Sequence, residues 1–312
     1  MNALDKLKEA RKLLGTSGIE DAGREAELIL SYCLGIDRLT LYRDNPWIPR
    51  DLISRIDGLL QRRTKREPLQ YILGHMEFYG LKIRIGSGVL IPRPETELLA
   101  EEAIKTVKRE ALGVMRKAKY SEQTLNSSLI THYSSLSILD LCTGTGCLAL
   151  ALAKEFPEAQ VYGTDTSEIA IGYAKENAKL NGIKNVSFMK GSLFYPIKKN
   201  LKSQISNLKL DLIISNPPYI RKNDIKSLQP EIKDWEPLEA LDGGENGLDY
   251  YRAITPEAKN YLKEGGYLMF ELGNNQADAV RKMAEDAGFI NISLIKDYAG
   301  IERILITKLG KL

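Results

Sequence analysis

The sequence predicts an α/β protein in which a small N-terminal helical bundle precedes a doubly wound, mostly parallel sheet. Residues 1–75 show only helical periodicity, whereas residues 76–93 alternate β-branched and aromatic residues with glycines, as a connecting β-hairpin does. From residue 136, short apolar strands alternate with helices, a pattern that specifies a parallel sheet covered on both faces. We therefore predict a helical domain over 1–75, a hairpin linker over 76–93 and an α/β domain over 94–312.

The N-terminal domain is predicted to contain three amphipathic helices. Leucines recur at helical spacing near the start, a second run covers 20–35, and a third covers 45–68, where Pro49 suits a first helical turn. The third run ends in a basic cluster formed by Arg62, Arg63, Lys65 and Arg66. Two interpretations stay open: a solvated helix end that complements the helix dipole, or a docking surface for a polyanionic partner.

The α/β domain is predicted to open with a helix over 95–112, followed by an exposed polar loop over 117–135. Strands are then predicted at 136–141, 160–165, 185–191, 210–215, 266–273, 291–297 and 303–308. Helices are predicted between them at 147–156, 167–182, 250–262 and 275–288. Ligands bind such sheets beyond the carboxyl ends of the strands, so the residues that follow each strand are candidate site residues.

The composition narrows the class of protein. Hydrophobic content of 43% and charged content of 27% are typical of a soluble globular chain. No apolar run reaches the roughly 20 residues of a membrane span, and the N-terminal stretch is amphipathic, without the apolar core expected of a secretory signal. The three cysteines have neither metal nor disulfide spacing, so we expect no metal and a reducing cytoplasm. A net charge of +3 permits nucleic-acid contact without demanding it.

The first predicted strand ends at Asp140, and "CTGTGC" then turns the chain into a helix. Gly144 and Gly146 permit positive φ and let a ligand approach the backbone closely, while the helix N-terminus favours an anionic group. The second strand ends at Asp165, placed like the carboxylate that grips ribose hydroxyls. Together these features predict a nucleoside-cofactor site.

The choice of cofactor depends on Asp140. "GTGCLA" matches the permissive dinucleotide fingerprint, with Ala149 last, but that signal is weak alone. A carboxylate at Asp140 would repel a pyrophosphate, whereas it could attract the amino group of S-adenosylmethionine. That cofactor also carries a carboxylate for the helix N-terminus and a ribose for Asp165. We therefore predict S-adenosylmethionine.

The fourth predicted strand ends in "SNPPYI", where two prolines stiffen the backbone. The side-chain oxygen of Asn216 and the carbonyl of Pro217 can accept both hydrogens of a planar NH2 group, and Tyr219 offers a flat face for its plane. Methylation of an amide or aromatic amine needs this arrangement, because the nitrogen is a poor nucleophile whose lone pair is delocalised. Alignment and desolvation, rather than a strong base, should then supply most of the rate.

Seven motifs carry a resemblance to a known family. They are "PLQYILG" (68–74), "EFYGL" (77–81), "VLIPRPETELL" (89–99), "LDLCTGTGCLALALA" (139–153), "SNPPYI" (215–220), "PLEALDGGENGLDYYR" (237–252) and "FELGNNQ" (270–276). Over nearly the whole chain this set resembles the PrmC/HemK family, the glutamine N5-methyltransferases that modify class I peptide chain release factors. The resemblance implies a helical domain that grips the release factor and a Rossmann-like class I methyltransferase domain. The implied substrate is the glutamine of the Gly-Gly-Gln loop.

The resemblance also implies roles for particular residues. Cofactor contacts fall on Asp165, Leu193 against the adenine, Asn216, and the turn made of Cys142, Thr143, Gly144, Thr145 and Gly146. The substrate amide falls to Asn216, Pro217, Pro218 and Tyr219, with Asn216, Pro217 and Tyr219 as the catalytic set. For Arg93 and Glu95 two interpretations stay open, a role at the cleft mouth or an ion pair that braces the hairpin.

The chain departs from the family pattern at three places. Cys142 replaces a usual glycine, so we expect a backbone conformation there that suits a residue with a Cβ. Ser192 stands where an acid is common, and the polar loop over 117–135 is longer than is typical. His75 and His132 have no partner pattern and are expected to be structural or exposed.

Three other functions compete with release factor methylation. They are methylation of a ribosomal-protein glutamine, which "RPETE" disfavours, methylation of adenine N6 in nucleic acid, and a cofactor-free scaffold. Base methylation would need a target-recognition region and a base-flipping channel, which the modest charge and neutral helical domain disfavour. We expect class I release factors as partners, no membrane, no direct nucleic-acid contact and a monomer.

Overall fold

The computed structural model describes residues 1–117, 133, 136–200 and 209–310, and they fall into two compact units. The first unit comprises Met1–Met76, Ile85–Ser87 and Leu228–Glu236. The second comprises Glu77–Arg84, Gly88–Ser227 and Pro237–Leu312. The domain boundaries drawn from the sequence stay predictions; the short segment 228–236 joins the helical unit although it is distant in sequence.

The first unit is helical. Its helices are α1 (Ala3–Thr16), α2 (Ala22–Leu34), α3 (Arg38–Asp44), α4 (Arg50–Thr64), α5 (Leu69–Leu73) and, from the distant segment, α10 (Pro230–Lys233). The three predicted helices are present. Helices α3, α5 and α10 were not predicted, because with seven, five and four residues they have too few turns to show a clear periodicity. Leu14, Ile29, Leu30 and Leu60 lie in the core of this unit.

The basic cluster at the end of α4 contains exposed residues, Arg62 and Lys65, and one buried residue, Arg63. Arg63 is only 4% exposed, and its guanidinium donates to Glu25 and to Glu231 of α10. Arg66 donates to the other Glu231 oxygen at 2.8 Å, and Arg62 pairs with Glu67. Both interpretations were wrong for Arg63, because carboxylates from distant parts of the chain neutralise it in a buried ion-pair network.

The predicted hairpin is present but shorter than its predicted span. Strands β1 (His75–Phe78) and β2 (Leu81–Arg84) form a two-stranded sheet, in which buried Leu81 and Ile83 alternate with exposed Lys82 and Arg84. The residues that follow are irregular and lead into helix α6 (Pro94–Lys117).

The second unit contains the predicted doubly wound sheet. Its strands are β3 (Ser137–Leu141), β4 (Gln160–Asp165), β5 (Val186–Lys190), β6 (Leu210–Ser215), β7 (Leu262–Glu271), β8 (Phe289–Lys296) and β9 (Glu302–Leu309). Their spatial order is β5-β4-β3-β6-β7-β9-β8. Pairing is parallel from β5 to β7 and antiparallel for β9 with both neighbours, which confirms a mostly parallel sheet.

Helices flank this sheet, and all but one of them, Tyr195–Asn200, correspond to helices predicted from the sequence. They are α6, α7 (Cys147–Glu155), α8 (Glu168–Leu180), α9 (Tyr195–Asn200), α11 (Asp249–Ala258) and α12 (Ala277–Asp286). The helix predicted over 250–262 ends early, because Leu262 already begins β7. Nearly all of the loop predicted over 117–135, and His132 with it, lies outside the described residues. None of the described helices combines the length and hydropathy needed to cross a bilayer.

The strand register sets the position of the candidate site. Leu141 pairs with Thr164 on one side and with Ser215 on the other. The residues that follow these strands therefore meet at one edge of the sheet. The strand order reverses between β3 and β6, so the switch point lies at this edge where these two strands end.

Candidate active site

The turn after β3 has an unusual backbone conformation. Cys142, Gly144 and Gly146 have φ values of +59°, +55° and +80°. A Cβ at Gly146 would come within 2.9 Å of the Phe188 ring, whereas nothing lies within 4 Å of one at Gly144. We expected a backbone conformation at Cys142 that suits a residue with a Cβ, and this was wrong. The backbone there is left-handed, a conformation that favours glycine and is strained for cysteine.

Asp140 lies beneath this turn. Its Oδ2 accepts hydrogen bonds from the Thr143 hydroxyl at 2.5 Å and from the Ala149 N–H at 3.2 Å, and its Oδ1 has no hydrogen-bond partner among the described residues. Burial raises the pKa of the Asp140 carboxyl to about 7. Asp140 is not one of the described residues that line the neighbouring cavity. Its geometry braces the turn against α7, and its contact with a cofactor stays a prediction.

Asp165 connects the turn to the start of α8. Its Oδ2 accepts from the Gly144 N–H and its Oδ1 from the Ser167 N–H, both at 2.9 Å. Burial raises the pKa of this carboxyl as well. A carboxylate offers about four lone-pair positions, so acceptor capacity remains for a ligand hydroxyl.

A cavity of about 500 Å³ opens between these elements. It is lined by several predicted site residues, namely Cys142, Thr143, Gly144, Thr145, Asp165, Leu193, Asn216 and Pro218. The lining also includes residues that the sequence analysis did not select, among them Thr96, Pro237, Ala240 and Tyr250. Gly146, Pro217 and Tyr219 lie next to the lining in sequence and are not among the described lining residues.

Asn216 has a defined side-chain orientation. Its Nδ2 donates to the Thr96 Oγ1 at 3.0 Å, which leaves its Oδ1 as an acceptor for a ligand. Thr96 in turn donates to the Glu271 Oε2 at 2.7 Å. Tyr219 donates to the other oxygen, Glu271 Oε1, at 3.2 Å. Both ends of the Asn-Pro-Pro-Tyr corner, residues 216–219, are therefore connected to one carboxylate.

Glu271 is almost fully buried, with 1% exposure. Burial raises the pKa of its carboxyl to about 7, against the opposing effect of the Thr96 and Tyr219 hydroxyls. Burial and the Glu271 charge also raise the pKa of the Tyr219 phenol, so that phenol stays neutral and donates its proton.

A layer of glycines and one glutamine supports the backbone of the corner. A Cβ at Gly243 would lie 2.8 Å from the Pro218 carbonyl oxygen, and one at Gly247 would lie 2.3 Å from that of Tyr219. The Gln276 Nε2 donates to the Tyr219 oxygen at 2.8 Å. The motifs "LDGGENGL" and "FELGNNQ" carried this signal, but no role for their residues was inferred from the sequence.

Asn177 of α8 connects the hairpin to the turn after β3. Its carboxamide accepts from the Arg84 N–H at 2.7 Å and donates to the carbonyls of Arg84 and Thr145. The carbonyl of Arg93 accepts from the Thr96 N–H at 3.0 Å and so starts α6. Both interpretations of the Arg93 and Glu95 side chains stay predictions.

In the described parts of the chain, no group of three or more His, Cys, Asp or Glu could hold a metal ion.

Two family models and several full-length relatives match this chain. A model of a methyltransferase domain matches residues 132–303, and a model of the PrmC N-terminal domain matches residues 5–74. The release factor glutamine methyltransferase of Thermodesulfovibrio yellowstonii is 43% identical over 311 residues, which cover 100% of this chain and 99% of that protein. The release factor glutamine methyltransferase of Geobacter sulfurreducens is 41% identical over 302 residues, covering 96% and 94%.

Among solved structures, the hMettl16 catalytic domain in complex with the MAT2A 3′UTR hairpin 6 aligns with a TM-score of 0.51 at 14% identity. The alignment covers 84% of this chain and 83% of that chain, and it supports the fold alone. The two family models and the full-length relatives confirm the resemblance found in the motifs: this chain belongs to the family of release factor glutamine methyltransferases.

Proposed function

We propose that this chain transfers a methyl group from S-adenosylmethionine to the side-chain nitrogen, N5, of the glutamine in the Gly-Gly-Gln motif of class I release factors. The observation that carries the proposal is the orientation of Asn216, whose Nδ2 is held by Thr96 and whose Oδ1 stays available at the cavity. The names of the relatives supply the substrate class.

The residues around the cavity fit S-adenosylmethionine. A volume of about 500 Å³ lies in the range of small-molecule sites. The position that a Cβ would take at Gly144 is open, so a ligand can lie against that backbone. Asp165 has acceptor capacity for a ribose hydroxyl, and the N-terminus of α7 favours a carboxylate. When bound, the cofactor supplies a methyl group activated by a sulfonium.

The corner prepares the amide nitrogen for attack. The Asn216 Oδ1 and the Pro217 carbonyl would accept the two N–H hydrogens of the glutamine carboxamide, which raises electron density on its nitrogen and orients it. No strong general base is required, because that nitrogen becomes acidic only as the new bond forms, and the methylated amide then loses one N–H proton to solvent. The residues would act by alignment and by exclusion of water.

The proposal also covers the oligomeric state, the location and the partners of the enzyme. We infer a monomeric cytoplasmic enzyme that acts on a protein loop and makes no direct contact with nucleic acid. A ribosomal-protein glutamine and an adenine base are the competing acceptors.

The function is tested with S-adenosylmethionine labelled in the methyl group and four acceptors: a purified release factor, the same factor with its Gly-Gly-Gln glutamine changed to asparagine, ribosomal proteins and DNA. We expect label only on the unaltered release factor, on the peptide that carries the glutamine. Label on ribosomal protein or DNA alone, or no label on any acceptor, would contradict the proposal.

Asn216→Ala tests the corner itself. We expect transfer to fall by at least about 100-fold, because the amide loses one acceptor and its alignment. Affinity for S-adenosylmethionine, measured by calorimetry, should stay within about threefold, because most of the cofactor contacts lie elsewhere. Near-normal turnover by this variant would refute the role of Asn216.

Asp165→Asn tests the cofactor site. An asparagine has only one acceptor oxygen, so it cannot satisfy the Gly144 and Ser167 N–H groups and also bind a ribose. We expect the Kd for S-adenosylmethionine to rise about 10- to 100-fold. Glu168→Gln, at an exposed side chain three residues along, should leave the Kd unchanged.

A further inference from the structure

The residues that orient the amide-binding corner lie outside the Asn-Pro-Pro-Tyr motif. Glu271, at the end of β7, accepts the Thr96 hydroxyl at 2.7 Å on one oxygen and the Tyr219 hydroxyl at 3.2 Å on the other. Thr96 lies in the first turn of α6, and Glu271 is 175 residues away from it in sequence. One buried carboxylate therefore receives a hydrogen bond from each end of the corner.

The direction of the hydrogen bonds in this network follows from the carboxylate. An ionised carboxylate only accepts, so the single proton of the Thr96 hydroxyl must be donated to Glu271. The oxygen of Thr96 is then an acceptor, and the Asn216 Nδ2 donates to it at 3.0 Å. A flipped Asn216 carboxamide would place oxygen against oxygen and lose that bond. The charge on Glu271 thus decides which end of the Asn216 amide is left for the substrate.

We propose that the Glu271 carboxylate is a positioning residue for methyl transfer, which acts through Thr96 to hold the Asn216 Oδ1 toward the substrate amide and through Tyr219 to hold the other end of the corner. This inference rests on the proposed function and deepens it. Glu271 does not need to touch the substrate.

The same charge favours the reaction electrostatically. Hydrogen bonds in a chain polarise one another, so a carboxylate behind Thr96 makes the Asn216 oxygen a better acceptor. The substrate nitrogen gains positive charge as the methyl group is transferred. A fixed negative charge, connected to it through two hydrogen-bonded side chains, stabilises that change without reorganisation.

The ionisation of Glu271 gives this network a pH dependence. Burial raises the pKa of its carboxyl to about 7, Glu95 raises it further and Arg303 lowers it. The titratable and charged groups that face Glu271 are Glu95 of α6, Cys147 of α7, Tyr219 of the corner, Tyr251 of α11 and Arg303 of β9. Below the pKa, the neutral acid carries its own O–H and can no longer accept both hydroxyls. We therefore expect kcat to fall as pH decreases through about 7.

The test uses Glu271→Gln in the full chain, with the release factor as methyl acceptor. Glutamine has one acceptor oxygen and a donor amide, so it cannot accept both hydroxyls. We expect kcat to fall about 10- to 100-fold with a smaller change in KM, because the alignment of the amide is lost. The fall in kcat below neutral pH should disappear, because glutamine does not titrate. Glu285→Gln, on the exposed face of α12, is the matched control and should keep the wild-type profile.

A second pair of variants tests Thr96 and does not depend on the folding of the Glu271 variant. Thr96→Val removes the hydroxyl at nearly constant volume and should lower kcat by a similar factor, about 10- to 100-fold. Thr96→Ser restores the hydroxyl and should recover most of that loss. Cofactor affinity, measured by calorimetry, shows that each variant is folded.

The inference is overturned if Glu271→Gln and Thr96→Val both keep the wild-type kcat, or if Glu271→Gln keeps the wild-type pH profile. If the glutamine variant does not fold, equal activity of Thr96→Val and Thr96→Ser overturns it. A wild-type chain that places no label on the glutamine would overturn the proposed function itself, and the two failures are therefore distinguishable.

Discussion

Gly247 lies directly against Tyr219, so that a Cβ at position 247 would come within 2.3 Å of the Tyr219 carbonyl oxygen. The same oxygen accepts from the Gln276 Nε2 at 2.8 Å, and that nitrogen also donates to the Gly247 carbonyl at 3.2 Å. Gly247 has a φ of +72°, a conformation that favours glycine. The backbone of the Asn-Pro-Pro-Tyr corner therefore rests on a position where no side chain fits.

Gly247→Ala should displace the corner. Because the Tyr219 carbonyl must move away from a new methyl group, we expect methyl transfer to fall by at least about 100-fold. Gly288→Ala is the matched control, since Gly288 also has a positive φ, of +86°, but nothing lies within 4 Å of its Cβ position. It should lose about 1 kcal/mol of stability and keep its activity. Equal transfer rates for the two variants would contradict this role of Gly247.

Cys142→Gly should stabilise the protein. The left-handed backbone at Cys142, with a φ of +59°, costs a residue with a Cβ about 1–2 kcal/mol, whereas glycine adopts it freely. Glycine loses more chain entropy on folding, so we expect a net gain of about 0.5–1 kcal/mol in the free energy of unfolding. Cys142→Ala keeps the backbone strain while it removes the thiol. Equal free energies of unfolding for the two variants, measured with urea, would show that the left-handed backbone does not strain the residue at position 142.

Asp140→Asn should change how stability depends on pH. The Asp140 carboxyl has its pKa raised to about 7 by burial, so between about pH 4 and 7 the folded chain keeps this proton while the unfolded chain loses it. This group therefore stabilises the fold most below about pH 4. Its contribution decreases as pH rises to about 7, by up to ~4 kcal/mol.

Asparagine is neutral throughout this range, so the variant should show a shallower decline in the free energy of unfolding. Urea unfolding at about pH 5, 6, 7 and 8 measures the difference between the two proteins. Asp286→Asn, at an exposed side chain, is the control and should parallel the wild type. A difference between wild type and Asp140→Asn that does not vary with pH would count against a protonated Asp140.

Glu231→Ala should destabilise the helical unit. Both oxygens of Glu231 accept from arginines, Arg63 and Arg66, each at 2.8 Å, and Arg63 is buried. Removal of one partner from a buried network leaves charge without full compensation, so we expect a loss of about 3 kcal/mol in the free energy of unfolding. Asp286→Ala, which removes an exposed pair with Lys282, should cost less than about 0.5 kcal/mol. A Glu231 variant as stable as that control would show that the network contributes little.

The sequence by itself determined the order of strands and helices, the glycine turn after β3, the proline corner after β6 and the family. These features are local: strand and helix patterns repeat over a few residues, and "CTGTGC" and "SNPPYI" each lie within six consecutive positions. The short helices α3 and α5 are not predicted by such patterns, because they span too few turns, and α11 ends before its predicted bound because the chain already begins β7 at Leu262.

Only the tertiary structure decided which distant side chains complete the site. Asn216 and Thr96 are 120 residues apart, and Arg63 and Glu231 are 168 residues apart. No local pattern encodes such pairs, because each depends on how the chain as a whole brings these residues together. The left-handed backbone at Cys142 also depends on the tertiary structure, because a cysteine by itself disfavours that conformation.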